Sequence, residues 1–176
     1  VAAQISNAKN EMLTVDEYWD LARGGYQKRL ARIWKNYEKK LDKFRAVDFD
    51  DLLLRGVELL KNEEVKRKIR FDYVLIDEYQ DNNKAQYELT KLLVEKDGKG
   101  LTVVGDFSQS IYSWRGADFR NLKYLNRDYD NLTTVELRQN YRSTQNILDA
   151  AYGVIENNET HPILKLQATK NKGGRI

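Results

Sequence analysis

A chain of 176 residues is long enough for one ordinary domain, or for one domain carrying part of a second, and a hydrophobic share of 41% supplies a core. Its 30 Lys and Arg against 27 Asp and Glu leave a net charge of only +3, so a nucleic-acid partner must be argued from where the charges lie, not from their sum. The absence of cysteine excludes disulfides, thiolate metal sites and thiol nucleophiles, and fits a reducing compartment.

No stretch approaches the ~20 apolar residues of a membrane span, and the N-terminus lacks the basic-then-apolar pattern of a signal peptide. The chain reads as soluble and cytoplasmic, with no membrane partner. It opens on Val1 and its only methionine is Met12, so it reads as a fragment of something longer. The single histidine, His161, has no second histidine with which to share a metal or a proton, and reads as a surface-loop residue.

In chain order, Thr14 and Glu17 form a capping-box pair at the start of a helix. After Gly24-Gly25, apolar residues recur at three- and four-residue steps through Tyr26, Leu30, Ile33, Tyr37, Leu41 and Phe44, which predicts one long amphipathic helix. Between residues 26 and 45 it carries Lys28, Arg29, Arg32, Lys35, Lys39, Lys40, Lys43 and Arg45 against only Glu38 and Asp42. That face suits either duplex DNA or plain solvation. Asp48 with Asp51 opens a second helix whose face is Phe49, Leu52, Leu53, Val57 and Leu60. Residues 61–70 read as a polar connection.

From Phe71 strands and helices alternate. Tyr73 to Ile76 and Leu101 to Val104 are short continuous apolar runs, as expected of strands covered on both faces of a parallel sheet. Leu132 to Leu137 suggests a third strand. A helix from Lys84 to Glu95 turns Ala85, Leu89, Leu92 and Leu93 inward, and another, capped near Ser143, runs through Ile147, Ala150, Ala151, Val154 and Ile155. The fold class is therefore α/β, an open, mostly parallel sheet preceded by a helical segment.

In such sheets ligands sit beyond the carboxyl ends of the strands, where Asp77 and Glu78 fall. Adjacent side chains on a strand point to opposite faces, so the two acids are expected to have different tasks. One can hold a hard cation such as Mg²⁺ while the other orients and deprotonates a water; a helix-dipole role for the pair is the simpler alternative. The second strand is followed by Gly105-Asp106-Phe107-Ser108-Gln109-Ser110-Ile111-Tyr112-Ser113-Trp114-Arg115-Gly116-Ala117. Trp114 lacks a periodic apolar partner. Beside Arg115 it suits stacking on a nucleobase, as does Tyr112, unless both rings pack the loop onto the domain. Arg142, in the stretch from Leu137 to Ser143, precedes a helix start and can reach a phosphate or form a structural ion pair.

These stretches, in this order, resemble the superfamily 1 DNA helicases of the UvrD, PcrA and Rep type. VLIDEYQD is similar to the family's motif II, VVGDFSQSIYSWRGA to motif III and LRQNYRS to motif IV; ISNAKNEMLT and VDFDDLL resemble segments leading into motif II. The resemblance covers nearly the whole chain. It implies ATP and Mg²⁺ as cofactors, with Asp77 binding Mg²⁺, Glu78 activating the attacking water, Gln109 sensing the γ-phosphate, Tyr141 lying against adenine and Arg142 contacting phosphate. It also implies that Trp114 and Tyr112 stack on bases of single-stranded DNA, with Arg115 supporting the link between the two sites. Family members hydrolyse ATP to move along single-stranded DNA, typically 3′ to 5′, and unwind duplex at the junction.

The implied division is a helical subdomain segment and connection (1–66), the second half of a first RecA-like motor domain (67–137) and the start of a second (138–176). The family's phosphate-cradling string G-x-x-x-x-G-K-[ST] does not occur, since Gly98-Lys99-Gly100 has neither its spacing nor its hydroxyl. Motifs V and VI are also absent, so ATP hydrolysis and unwinding are expected to need the missing remainder of a helicase chain. Asn82 stands where threonine is common, and Phe107-Ser108 replace a more acidic pair. A stand-alone single-stranded-DNA-binding or adaptor module, and the helicase half of a helicase–nuclease, are the alternatives.

Overall fold

The computed structural model describes residues 1–169, 173 and 174, with the side chain of Arg115 outside that description. Five helices come first: α1 (Ala2–Asn10), α2 (Val15–Leu21), α3 (Gly25–Phe44), α4 (Phe49–Leu60) and α5 (Glu63–Lys68). Then follow β1 (Val74–Ile76), α6 (Lys84–Leu93), β2 (Leu101–Val103), α7 (Arg120–Asp128), β3 (Gln139–Asn140), α8 (Gln145–Ile155) and β4 (Gln167–Ala168). Single 3-10 turns lie at Tyr79–Asp81, Phe107–Gln109 and Ser113–Arg115.

The fold is α/β, mostly helical, with two small parallel sheets where one open sheet was expected. β1 pairs with β2 in the register Val74 to Leu101 and Ile76 to Val103. β3 pairs with β4, Gln139 to Gln167 and Asn140 to Ala168. The apolar run from Leu132 to Leu137 is not a strand: among the described residues it pairs with none, Leu132 packs beside the core, and Val135 and Leu137 are exposed. The β1–β2 sheet also has one covered face where two were expected. Tyr79, Tyr87, Val94, Leu125 and Tyr129 form its core against Val74, Ile76, Leu101 and Val103, while Leu75, on the other face, is 75% exposed. Gly100 admits the chain into β2 at φ 80°, where a Cβ would lie 2.2 Å from the Asp72 carbonyl oxygen.

Local rules explain the helix starts. Thr14 and Glu17 close the expected capping box, Glu17 N–H donating to Thr14 Oγ1 (3.2 Å) and Thr14 N–H to Glu17 Oε2 (2.8 Å). Asp48 and Asp51 do the same for α4. The charged stretch after α4, read as a connection, contains α5, whose cap is the Asn62 side chain. At α8 the cap position is Thr144, next to Ser143, with no side-chain cap hydrogen bond, and the Ser143 N–H donates to Asn140 Oδ1 (2.7 Å).

Which helix face is buried departs from the periodicity. In α3 the buried residues are Leu30, Ala31 and Trp34, whereas Tyr26, Ile33 and Phe44 are exposed. Ile5, Ala8, Leu30 and Trp34 form a second core. In α4, Val57 and Leu60 are buried as expected, but Phe49 and Leu52 are exposed. In α8, Ile147, Ala150, Ala151 and Val154 are all exposed, and β4 packs beside the helix.

The helical part is organised by Lys9. It is 2% exposed and its Nζ lies 2.8 Å from Glu38 Oε1, 2.8 Å from Asp48 Oδ2 and 2.7 Å from Asp51 Oδ1. The two acids that cap α4 thus also neutralise a buried cation from α1. Tyr37 adds its hydroxyl to Asp48 Oδ2 at 3.0 Å. Because Glu38 turns inward, the outer face of α3 keeps its lysines and arginines exposed with Asp42 as the one exposed acid between residues 26 and 45.

Burial disfavours the charge on Lys9, but its hydrogen bonds to Asp48, Asp51 and Glu38 outweigh that cost and raise its pKa above the usual lysine value. Burial likewise works against the Asp48 charge, and the Lys9, Asp51 and Tyr37 hydrogen bonds hold that carboxyl below the usual range. The Asp48 contribution to stability is therefore present above the ordinary carboxylate range and lost as pH falls through its lowered value; that of Lys9 is present below the ordinary lysine value and lost as pH rises beyond it. Lys9→Met should cost toward the lower end of about 3–5 kcal/mol, because the stranded carboxylates keep some solvent. Urea unfolding from acid to alkaline pH measures this, and the variant's loss should shrink at both extremes.

Candidate nucleotide and nucleic-acid site

The site grows from the ends of β1 and β2. Regular strand stops at Ile76, so the alternation expected to separate Asp77 from Glu78 does not operate. Glu78 instead takes a left-handed conformation (φ 50°, ψ 45°) at the head of the 3-10 turn Tyr79–Asp81, a placement that costs about 1–2 kcal/mol for a residue with a Cβ. It is held by neighbours on both sides: Glu78 N–H donates to Asp77 Oδ1 (2.9 Å) and Tyr79 N–H to the Val104 carbonyl (2.9 Å). Both carboxylates are exposed at the rim.

Gln80 ties the two strand ends together. It is 1% exposed, its Nε2 donates to Glu78 Oε2 at 2.7 Å, and its Oε1 accepts from Asp106 N–H at 3.0 Å. Asp106 in turn accepts from Ser108 N–H (2.9 Å) and from Gln109 Nε2 (2.9 Å). Glu78, Gln80, Asp106 and Gln109 thus form a continuous hydrogen-bonded chain. Gly105 makes room for it, since a Cβ there would lie 2.9 Å from Gln80 Oε1. Ser110 Oγ adds a longer bond to the Gln80 carbonyl (3.4 Å). The sequence reading missed Gln80 and gave Asp106 no task; the available signal was an amide directly behind the two acids, in a segment entering the core.

Burial, with the Glu78 charge adding to it, pushes the Asp81 carboxyl above its usual range. Among the described residues no group of three or more His, Asp or Glu side chains is arranged to hold a metal ion. The rim acids fit Mg²⁺ only in its usual manner, one or two carboxylates with the remaining positions taken by phosphate and water.

Tyr112 and Trp114 sit farther along the same loop, 40% and 62% exposed, with ring centroids 6.3 Å apart and planes at 57°. The loop is closed by Ala117 N–H donating to the Tyr112 carbonyl and anchored by Asp118 N–H donating to the Asn82 carbonyl at 3.0 Å. Arg115, expected to support it, has its side chain outside the described residues. Tyr141 and Arg142 belong to the second sheet, just after β3. The Tyr141 hydroxyl donates to Gln139 Oε1 (2.8 Å), and Arg142 N–H donates to Asn140 Oδ1 (3.0 Å). The structure therefore joins Asp77, Glu78 and Gln109 at one rim, pairs Tyr112 with Trp114 beside it, and carries Tyr141 and Arg142 on a different sheet.

The family described as UvrD/REP helicase N-terminal domain matches residues 1–130. Proteins named ATP-dependent DNA helicase PcrA from Leuconostoc citreum, Staphylococcus epidermidis and Bacillus subtilis are 42%, 44% and 41% identical to it, over 100%, 98% and 100% of this chain. In each case the chain spans 24% of the relative's length.

Removing the Gln80 amide leaves the Asp106 N–H without its partner inside the fold. Gln80→Leu should lower stability by about 1–3 kcal/mol, and Gly105→Ala should act in the same direction by displacing the amide. Urea midpoints of the two variants check this; a midpoint unchanged in both would remove the amide from its linking role.

Proposed function

The chain belongs to the UvrD/REP helicase family, and on that premise we propose that it is the part of an ATP-dependent DNA helicase that joins the hydrolytic rim of one motor domain to its DNA-stacking loop. On this reading residues 1–66 are a helical subdomain segment with its connection, 67–137 the second half of a RecA-like motor domain and 138–176 the start of another. What carries the proposal is the hydrogen-bonded run from Glu78 through Gln80 and Asp106 to Gln109, continued along one loop to Tyr112 and Trp114. A change felt at the acids has a short covalent and hydrogen-bonded route to the rings.

In the chemistry proposed, Asp77 would supply a carboxylate oxygen to a Mg²⁺ ion, whose charge would offset that of the triphosphate. Glu78 orients the attacking water and takes its proton, a task suited to a carboxylate held by Gln80 in a strained turn. Gln109, resting on Asp106 through one hydrogen bond, exchanges that partner for the γ-phosphate. Arg142 contributes positive charge from the second motor domain, and Tyr141 offers its exposed ring to adenine. Tyr112 and Trp114, supported by Arg115, take the bases of single-stranded DNA, and the duplex junction is the substrate of the whole protein. The chain by itself, having no phosphate-loop string, neither hydrolyses ATP nor unwinds DNA.

In the full-length helicase containing this chain, Glu78→Gln should lower ATP turnover by roughly 10²–10⁴-fold while leaving DNA affinity intact. A steady-state phosphate-release assay decides, and normal turnover would overturn the assignment. Trp114→Ala should weaken binding of single-stranded DNA by about 1–3 kcal/mol in fluorescence anisotropy; an unchanged affinity would return the ring to a packing role.

A further inference from the structure

The stacking loop begins and ends on a phenylalanine, and one side chain from outside the loop holds both. His161, in the connection between α8 and β4, stacks on Phe107 with centroids 5.6 Å apart and planes at 13°, and meets Phe119 edge-on at 6.0 Å and 71°. All three rings are half-buried.

The histidine is itself fixed. Its Nδ1 lies 3.1 Å from the Pro162 carbonyl oxygen and its Nε2 lies 3.2 Å from Asn158 Nδ2. Asn158 Oδ1 accepts from Thr160 N–H (2.8 Å) and Thr160 Oγ1 (2.7 Å), which sets the amide so that its NH₂ faces the ring. The proton that satisfies both contacts then sits on Nδ1. Lys123, from α7, donates to the Thr160 carbonyl and lies 5.7 Å from the centre of the Phe119 ring. The 158–162 segment is thus stapled to the base of the loop from three directions.

We propose that His161 is a positioning residue, a pin by which the α8–β4 connection sets the spacing of the two ends of the stacking loop. The proposal rests on the reading that Tyr112 and Trp114 meet nucleic acid. Phe107 shares its single turn with Gln109, so the pin touches the nucleotide-facing turn and the DNA-facing loop together. Displacement of the β3–β4 sheet, which carries Tyr141 and Arg142, then reaches Trp114 through His161 without crossing the Glu78–Gln80–Asp106 bonds. Phe107, one of the two positions at which this sequence departs from the family's more acidic pair, gains a physical reason.

The 176-residue chain offers direct probes, because it holds one histidine and three tryptophans. In ¹⁵N-labelled protein, His161→Ala should move the indole signal of Trp114 and leave those of Trp19 and Trp34 in place; His161→Phe, which keeps an aromatic face, should restore it. Binding of a short oligothymidylate, read by fluorescence anisotropy, should weaken roughly two- to ten-fold in His161→Ala and recover in His161→Phe. An unmoved Trp114 signal, or wild-type affinity in His161→Ala, would overturn the pin. If the unaltered chain fails to bind oligothymidylate while the Trp114 signal follows His161, the stacking reading fails and the pin stands. Should His161→Ala lose the Trp19 and Trp34 signals, Phe107→Leu removes the stacked face alone and carries the same expectations and the same refuting outcomes.

Discussion

A buried amide is tolerable only where both its ends are satisfied, and the candidate site depends on that constraint at Gln80. The strained Glu78 turn, the position of Asp106 and the resting place of Gln109 all follow from the Gln80 side chain spanning the ends of β1 and β2. A two-stranded sheet of three residues per strand is a weak scaffold by itself. The amide and the aromatic core beneath it, with Tyr79 fully buried, make the two strand ends move together.

Charge in the helical part obeys the same logic. Lys9 draws Glu38, Asp48 and Asp51 inward, and the withdrawal of Glu38 leaves the outer face of α3 basic. A near-neutral chain thereby acquires a predominantly basic surface, although the total charge says nothing of it. Asp48 and Asp51 serve a helix cap and an ion pair at once, so the start of α4 and the seat of α1 are set by one cluster.

Elements specified by neighbours a few residues apart were the most legible: the Thr14–Glu17 box, the Asp48–Asp51 box, and the placement of Asp77 and Glu78 beyond a strand. Elements that need a remote partner were not. The run from Leu132 to Leu137 has strand composition and no neighbouring strand, so it stays irregular. Helix α8 has an apolar stripe that stays mostly exposed among the described residues. In α3 the burial of Trp34 over Tyr37 and Phe44 depends on where α1 lies, and periodicity alone cannot register that. Phe107 illustrates the same limit: the ring stacked on it belongs to His161, far along the chain, and no local pattern registers that pair.

By itself the sequence determined the family resemblance, the first two strands with the helix between them, the Thr14–Glu17 and Asp48–Asp51 caps and the rim location of the acids, because each is written in residues that are adjacent or one turn apart. Only the tertiary structure decided that Gln80 links Glu78 to Asp106, that Lys9 collects three carboxylates, that the sheet is split in two, and that His161 closes the stacking loop. Those outcomes depend on which distant groups can satisfy a buried amide, a buried charge or an open strand edge, and that choice is made by packing in three dimensions.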